Sequence, residues 1–257
     1  MLPVDTAQTC IDLKALRVLN QEVMACRLCP RLVQYRETIG RVQKRAYRGQ
    51  EYWSRPLPGF GDSAARLLIV GLAPAAHGAN RTGRMFTGDR SGEFLYRALW
   101  ETGFANSPQS VSRDDGLLLR DAYITAPVRC APPDNKPTRE EILACRRYFI
   151  RELELLKNVR VVVVLGGIAL DAYLSVLQDG GVIKSRAAFH FGHGARFESH
   201  PHGPLVLASY HPSQQNTSTK RLTAAMLREI FERARQLLEW PTHPEEVGVD
   251  SSATAGK

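Results

Sequence analysis

Hydrophobic positions along this chain fall into two kinds of run. Four are short and almost continuous, at 66–74 (RLLIVGLAP), 122–128, 159–165 and 204–209. Such runs predict strands covered on both faces, as strands of a parallel sheet are. The others recur every three to four residues and predict helices: 11–25, 91–102 (with Phe94, Leu95, Ala98 and Leu99 on one face), 167–177 and the long amphipathic stretch 221–239. A further helix is predicted after Pro137, where Thr138 can cap and Glu141 completes a capping box; this helix carries Cys145. Residues 30–62 read as loop-rich. Strands alternating with helices predict an α/β fold with a central, mainly parallel four-stranded sheet and helices on both faces.

At 257 residues the chain can bury one sizeable core, so a single domain is expected over 11–240. A flexible leader at 1–10 and a polar, disordered tail at 241–257 complete the expected organisation. The longest apolar runs are strand-sized, and no membrane span is expected. The N-terminal MLPVDTAQTC lacks the basic-then-apolar layout of a signal peptide, so a cytoplasmic place is expected, where thiols stay reduced. The net charge of +8 and pI of about 9.4 suit a polyanionic partner. Arg36, Arg41, Lys44, Arg45, Arg48 and Arg55 alternate with Tyr35, Tyr47, Tyr52 and Trp53. That mixture suits a nucleic-acid surface, or equally a solvated loop.

Cys26 and Cys29 form a tight C-x-x-C, and Cys130 and Cys145 follow far downstream. Four thiolates complete the shell of a zinc ion or of a 4Fe–4S cluster. A zinc ribbon repeats the tight pair and this chain does not, which favours the iron–sulfur cluster. A zinc site, a redox pair, or buried apolar cysteines beside a chance C-x-x-C are the other readings. Cys10, the fifth cysteine, is given no role.

Two polar loops follow predicted strands, GLAPAAHGANRTGRMFTGD at 71–89 and SYHPSQQN at 209–216. In a parallel α/β sheet they meet at the carboxyl ends of the strands, where ligands bind. These two motifs, with TAPVRCAPPDNKPT at 125–138 and the four cysteines, resemble the uracil-DNA glycosylase superfamily, and within it the family 5 enzymes of bacteria and archaea. The resemblance spans residues 26–221. It implies a three-layer α/β/α sandwich, a structural 4Fe–4S cluster, and excision of deaminated bases, chiefly uracil, from double-stranded DNA. It also implies a monomer that works at the prokaryotic nucleoid.

Carried onto this chain, the resemblance makes His211 the donor to the departing base and Phe86 the ring on which the flipped base stacks. Such chemistry needs an extruded base held flat, and a donor aimed at the oxygen that gains charge. Gly71, Gly83 and Gly88 let backbone approach the base or a phosphate. Many relatives place Asp or Glu just after the first glycine of the first motif, whereas this chain has Leu72 and Ala73. Asn80, Asp89 and Asn135 are then the candidates for orienting water; Asp89 reads equally as a helix N-cap and Asn135 as a turn residue. Ala126 or its neighbour stands where family 4 relatives place a base-reading Asn, which loosens selection toward hypoxanthine and xanthine. Ser213, Gln214, Gln215, Asn216, Lys220 and Arg221 are expected on DNA phosphates or in the gap left by the flipped base. No lysine stands where a lyase nucleophile would, so simple hydrolysis is expected.

Overall fold

A computed structural model describes residues 6–201 and 203–239, and the side chains from residue 13 onward. Its centre is a six-stranded sheet made of β1 (Phe60–Gly61), β2 (Leu67–Val70), β3 (Ala122–Thr125), β4 (Val161–Leu165), β5 (Arg196–Glu198) and β6 (Leu205–Ser209). The spatial order is β1-β3-β2-β4-β6-β5. The four predicted strands are the inner ones, all parallel. The expected count of four is extended by two short antiparallel edge strands, β1 and β5. Each edge strand is only two or three residues long, too short to show alternation in sequence.

Helices cover both faces, and two short ones, α3 (Ala79–Thr82) and α7 (Gln214–Ser218), sit in the loops after β2 and β6. Leu67, Ile69 and Val163 point to one side, against α4 (Arg90–Glu101) and α8 (Ala224–Glu239). Leu68, Val70 and Val164 point to the other, against α1 (Thr6–Ala25), α5 (Arg139–Leu155) and α6 (Gly167–Asp179). Helix α1 begins at Thr6, so it takes in part of the expected leader. Residues 1–5 and the tail at 241–257 lie outside the described residues. The Thr138–Glu141 capping box forms with both bonds. Helix α8 starts three residues later than the pattern suggests, because Thr223 Oγ1 accepts from Met226 N and Lys220 takes a left-handed turn. No helix among the described residues is long and apolar enough to cross a membrane.

The expected loop at 30–62 holds a helix instead, α2 (Pro30–Val42). Two features hid it. Pro30 reads as a breaker, yet proline suits the first helical turn, where its missing N–H has no partner to lose. Its buried face also includes a charged residue, Arg36, beside Leu32 and Val33. Arg36 is therefore not part of a nucleic-acid surface, while Arg41, Lys44, Arg45, Arg48 and Arg55 are exposed.

Candidate active site

Loops leaving the carboxyl ends of β2, β3 and β6 enclose a cleft of ≈ 340 Å³. Gly71, Ala73, Phe86, Asp89, Ala126, Asn135, His211, Ser213 and Gln214 line it. It lies where the chain runs from β2 to β3 on one side and crosses to β4 on the other, the switch point at which parallel sheets open a crevice.

Phe86 and His211 face each other with ring centroids 5.8 Å apart and planes 32° from parallel. Phe86 holds a left-handed backbone, φ +50°, which for an aromatic residue costs roughly 1–3 kcal/mol and persists only where neighbours enforce it. They do so here. A Cβ on Gly92 would sit 1.8 Å from the Phe86 carbonyl oxygen, so only glycine lets the start of α4 close over it. A Cβ on Gly71 would lie 2.9 Å from the Phe86 ring. Two residues before Phe86, buried Arg84 donates to both oxygens of Asp115, to Ser110 Oγ and to Thr87 Oγ1. Burial pushes the Asp115 carboxyl up, but Arg84 and three backbone N–H groups hold it well below the usual carboxylate range.

His211 follows β6, and its backbone carbonyl accepts from Asn216 Nδ2 at 2.9 Å. Among the described residues no hydrogen bond reaches either imidazole nitrogen, although protein atoms pack densely around the ring. Burial lowers its pKa to about 4, so the ring is neutral near pH 7 and carries one N–H to donate. Asp89 satisfies both of its expected descriptions. Its Oδ1 accepts from Gly92 N at 3.0 Å as the N-cap of α4, and the side chain borders the cleft. Burial raises its pKa, opposed by the backbone N–H groups of Gly92 and Ser91. Asn135 stands at the mouth on a turn where it and Asp134 are both left-handed, φ +56° and +53°.

A sequence model described as the uracil DNA glycosylase superfamily matches residues 58–235. This chain belongs to that superfamily. A type-5 uracil-DNA glycosylase of Thermus thermophilus is 56% identical over 218 residues, 84% of this chain and 95% of its own length. One of Mycobacterium tuberculosis is 51% identical over 220 residues, 85% of this chain and 80% of its own. One of Pyrobaculum aerophilum is 48% identical over 209 residues, 81% and 87% respectively. The matched span takes in every residue that lines the cleft.

Not every candidate reaches it. Asn80 is fully buried outside the cleft; its Nδ2 donates to the carbonyls of Arg36 (3.3 Å) and Ala76 (3.4 Å), tying α2 to the loop after β2. Gln215 and Lys220 are exposed beyond the lining, and the Arg221 guanidinium lies 4.7 Å from the centre of the Tyr210 ring. Asn216 acts on the His211 backbone, as above. Met85, Arg90 and Ser91 line the cleft without having been singled out. Met85 lies within the 71–89 motif and Arg90 and Ser91 follow it directly; which of these side chains turn inward was not legible.

The four cysteines line a second, small cavity between α2, the loop after β3, and α5. None of the four is in a disulfide. Burial pushes Cys130 up to about 11 and Cys145 up to about 12. Among the described residues no three His, Cys, Asp or Glu side chains stand close enough to hold a single metal ion.

Proposed function

We propose that the protein hydrolyses the N-glycosidic bond of deoxyuridine in DNA with its base-excision cleft, through leaving-group stabilisation by neutral His211. The face-to-face pair of Phe86 and an unbonded, uncharged His211 carries this reading. Uracil flipped out of the helix slides over the Phe86 ring, and base–aromatic stacking is worth roughly 1–3 kcal/mol. The His211 N–H then donates to the base oxygen that gains charge as the C1′–N bond breaks and its electrons leave with the base. Water adds to C1′, and its proton leaves to the base or to solvent, giving an abasic site. Asp89 and Asn135 both line the cleft and are the candidates for holding this water; the Asn80 amide bonds the Arg36 and Ala76 carbonyls instead. Ala73 and Ala126 present only methyl groups to the cleft. A base that offers a different hydrogen-bonding edge leaves no buried amide unpaired there, so hypoxanthine and xanthine belong to the proposed substrates.

The same proposal includes a 4Fe–4S cluster on Cys26, Cys29, Cys130 and Cys145, which supplies a cross-link between the N-terminal segment, the loop after β3 and α5. The donor set fits it: four thiols converge on one cavity, and one of them, Cys130, already accepts from Arg36 Nη1 at 2.8 Å. Double-stranded DNA as substrate is supported by the net charge of +8. The reading takes the protein to act as a monomer. Work at a prokaryotic nucleoid is the matching proposal, in line with type-5 relatives from Thermus thermophilus and Pyrobaculum aerophilum. Incubation with a uracil-containing duplex, followed by alkaline cleavage, is expected to give strand breaks at the uracil position. An intact strand from protein that still binds the duplex would refute excision.

A further inference from the structure

The cysteine cavity has an unmatched positive charge on its wall. Arg36 is 2% exposed, and among the described residues no carboxylate lies within ion-pair distance of it. Its Nη1 donates to Cys130 Sγ at 2.8 Å and its Nη2 to the Cys26 carbonyl at 3.3 Å, while Nε has no partner. Arg129, the other guanidinium on this wall, differs: Glu152 neutralises it in a buried ion pair. Leu28, Leu32, Val33 and Pro56 make much of the remaining wall apolar. A buried cation with no carboxylate in ion-pair contact is unfavourable, so the occupant of such a cavity is expected to carry net negative charge. Four thiolates around an iron–sulfur core do.

We propose that Arg36 is the counter-cation of the metal group held by Cys26, Cys29, Cys130 and Cys145. Its guanidinium balances the charge of that group and its N–H bonds the Cys130 sulfur. It thereby sets how firmly the group is retained and at what potential the group accepts an electron. Hydrogen bonds to a ligating sulfur and nearby positive charge both favour the reduced state. The proposal rests on the reading of the four cysteines given above. It makes Arg36 a positioning residue, remote from the base.

The test compares the full chain with Arg36→Met and Arg36→Lys, all purified without oxygen. Iron and acid-labile sulfide per chain report retention, and a redox titration followed by electron paramagnetic resonance reports the potential. At a fixed potential the reduced-to-oxidised ratio of Arg36→Met is expected to fall about tenfold, or 59 mV for a one-electron couple, with Arg36→Lys near wild type. If Arg36→Met holds too little iron to titrate while Arg36→Lys keeps it, the proposal stands on retention. Equal iron and equal potential in all three proteins would overturn it. So would loss of iron from Arg36→Lys together with Arg36→Met, because shape rather than charge would then decide. Wild-type protein that excises uracil but binds no iron would overturn the cysteine reading and this inference, leaving uracil excision intact.

Discussion

A single methyl group added at Gly71 tests how the cleft holds its aromatic floor. Gly71 follows β2 directly, and the Cβ of Gly71→Ala would meet Phe86 Cε2 and Cζ at 2.9 Å. Carbon atoms settle at about 3.5–4.0 Å, so the ring must retreat by roughly 0.6–1 Å. Its backbone cannot follow, since Gly92 closes over the Phe86 carbonyl. The ring tip therefore tilts into the space where uracil would stack. Tilting is cheap for folding: overpacking of this kind costs about 1 kcal/mol, the low end of its range. In a chain of this size that lowers Tm by about 2–4 °C. It is expensive for chemistry, because a reacting group misplaced by about 1 Å loses about 10²-fold in rate. Single-turnover excision with excess protein on a uracil duplex is expected to slow by that factor, with duplex affinity little changed. Phe86→Ala should itself cost roughly 5- to 150-fold, the equivalent of about 1–3 kcal/mol of stacking. In the Phe86→Ala background, Gly71→Ala should then add less than about threefold, since contacting residues do not act independently. A wild-type rate for Gly71→Ala, or two losses that multiply in the double variant, would show that the ring is not the surface on which the base lies.

His211→Ala should slow single-turnover excision by about 10²–10³, the scale of a lost oxyanion donor, and a loss seen only in DNA affinity would refute that role. Asp89→Ala and Asn135→Ala should each slow excision by less than about 10³, since general-base help is worth roughly 10²–10⁴. Asp89→Ala should also lower stability by about 0.5–2 kcal/mol as a lost N-cap, measured by urea unfolding, and abolished activity in either folded variant would mean one indispensable base. Asn80→Ala should lose stability while excising near the wild-type rate, because its amide reaches the α2 carbonyl and not the cleft. Stability should also depend on pH through His211. Its folded pKa of about 4 lies below the unfolded value of about 6.5, so the unfolded chain binds the proton first as pH falls. The contribution is complete above pH 6.5 and is lost on descent to pH 4, about 3 kcal/mol in all. The difference between wild type and His211→Gln across that window isolates it from Asp89, whose raised pKa acts in the opposite sense; a flat difference would refute it.

Local sequence carried most of the scaffold. The runs at 66–74, 122–128, 159–165 and 204–209 are apolar on both faces because both faces meet helices, so each strand announces itself without knowledge of its partners. The Thr138–Glu141 box likewise closes within one turn and depends on nothing distant. The three motifs and the four cysteines identified the superfamily for a related reason: each is a contiguous stretch whose chemistry travels with its residues.

What the sequence hid lay in side chains whose environment is made by distant segments. Arg36 looks like a surface cation, and it becomes a buried one only when α2 packs beside Cys130, 94 residues away. Asn80 and Asp89 look equivalent as polar residues of one loop. The fold turns one toward the α2 backbone and the other into the cleft. The edge strands are too short to have a pattern of their own and exist only because β3 and β6 offer open hydrogen-bonding edges. The pKa of His211 was equally unreadable, since it comes from the density of atoms that other loops bring around the ring. Sequence by itself determined the four inner strands, most of the long helices and the superfamily, because patterning and motif are local properties. The tertiary structure alone decided which residues line the cleft, which charge is buried beside the cysteines, and that the His211 ring is neutral, because burial and direction are properties of the packed chain.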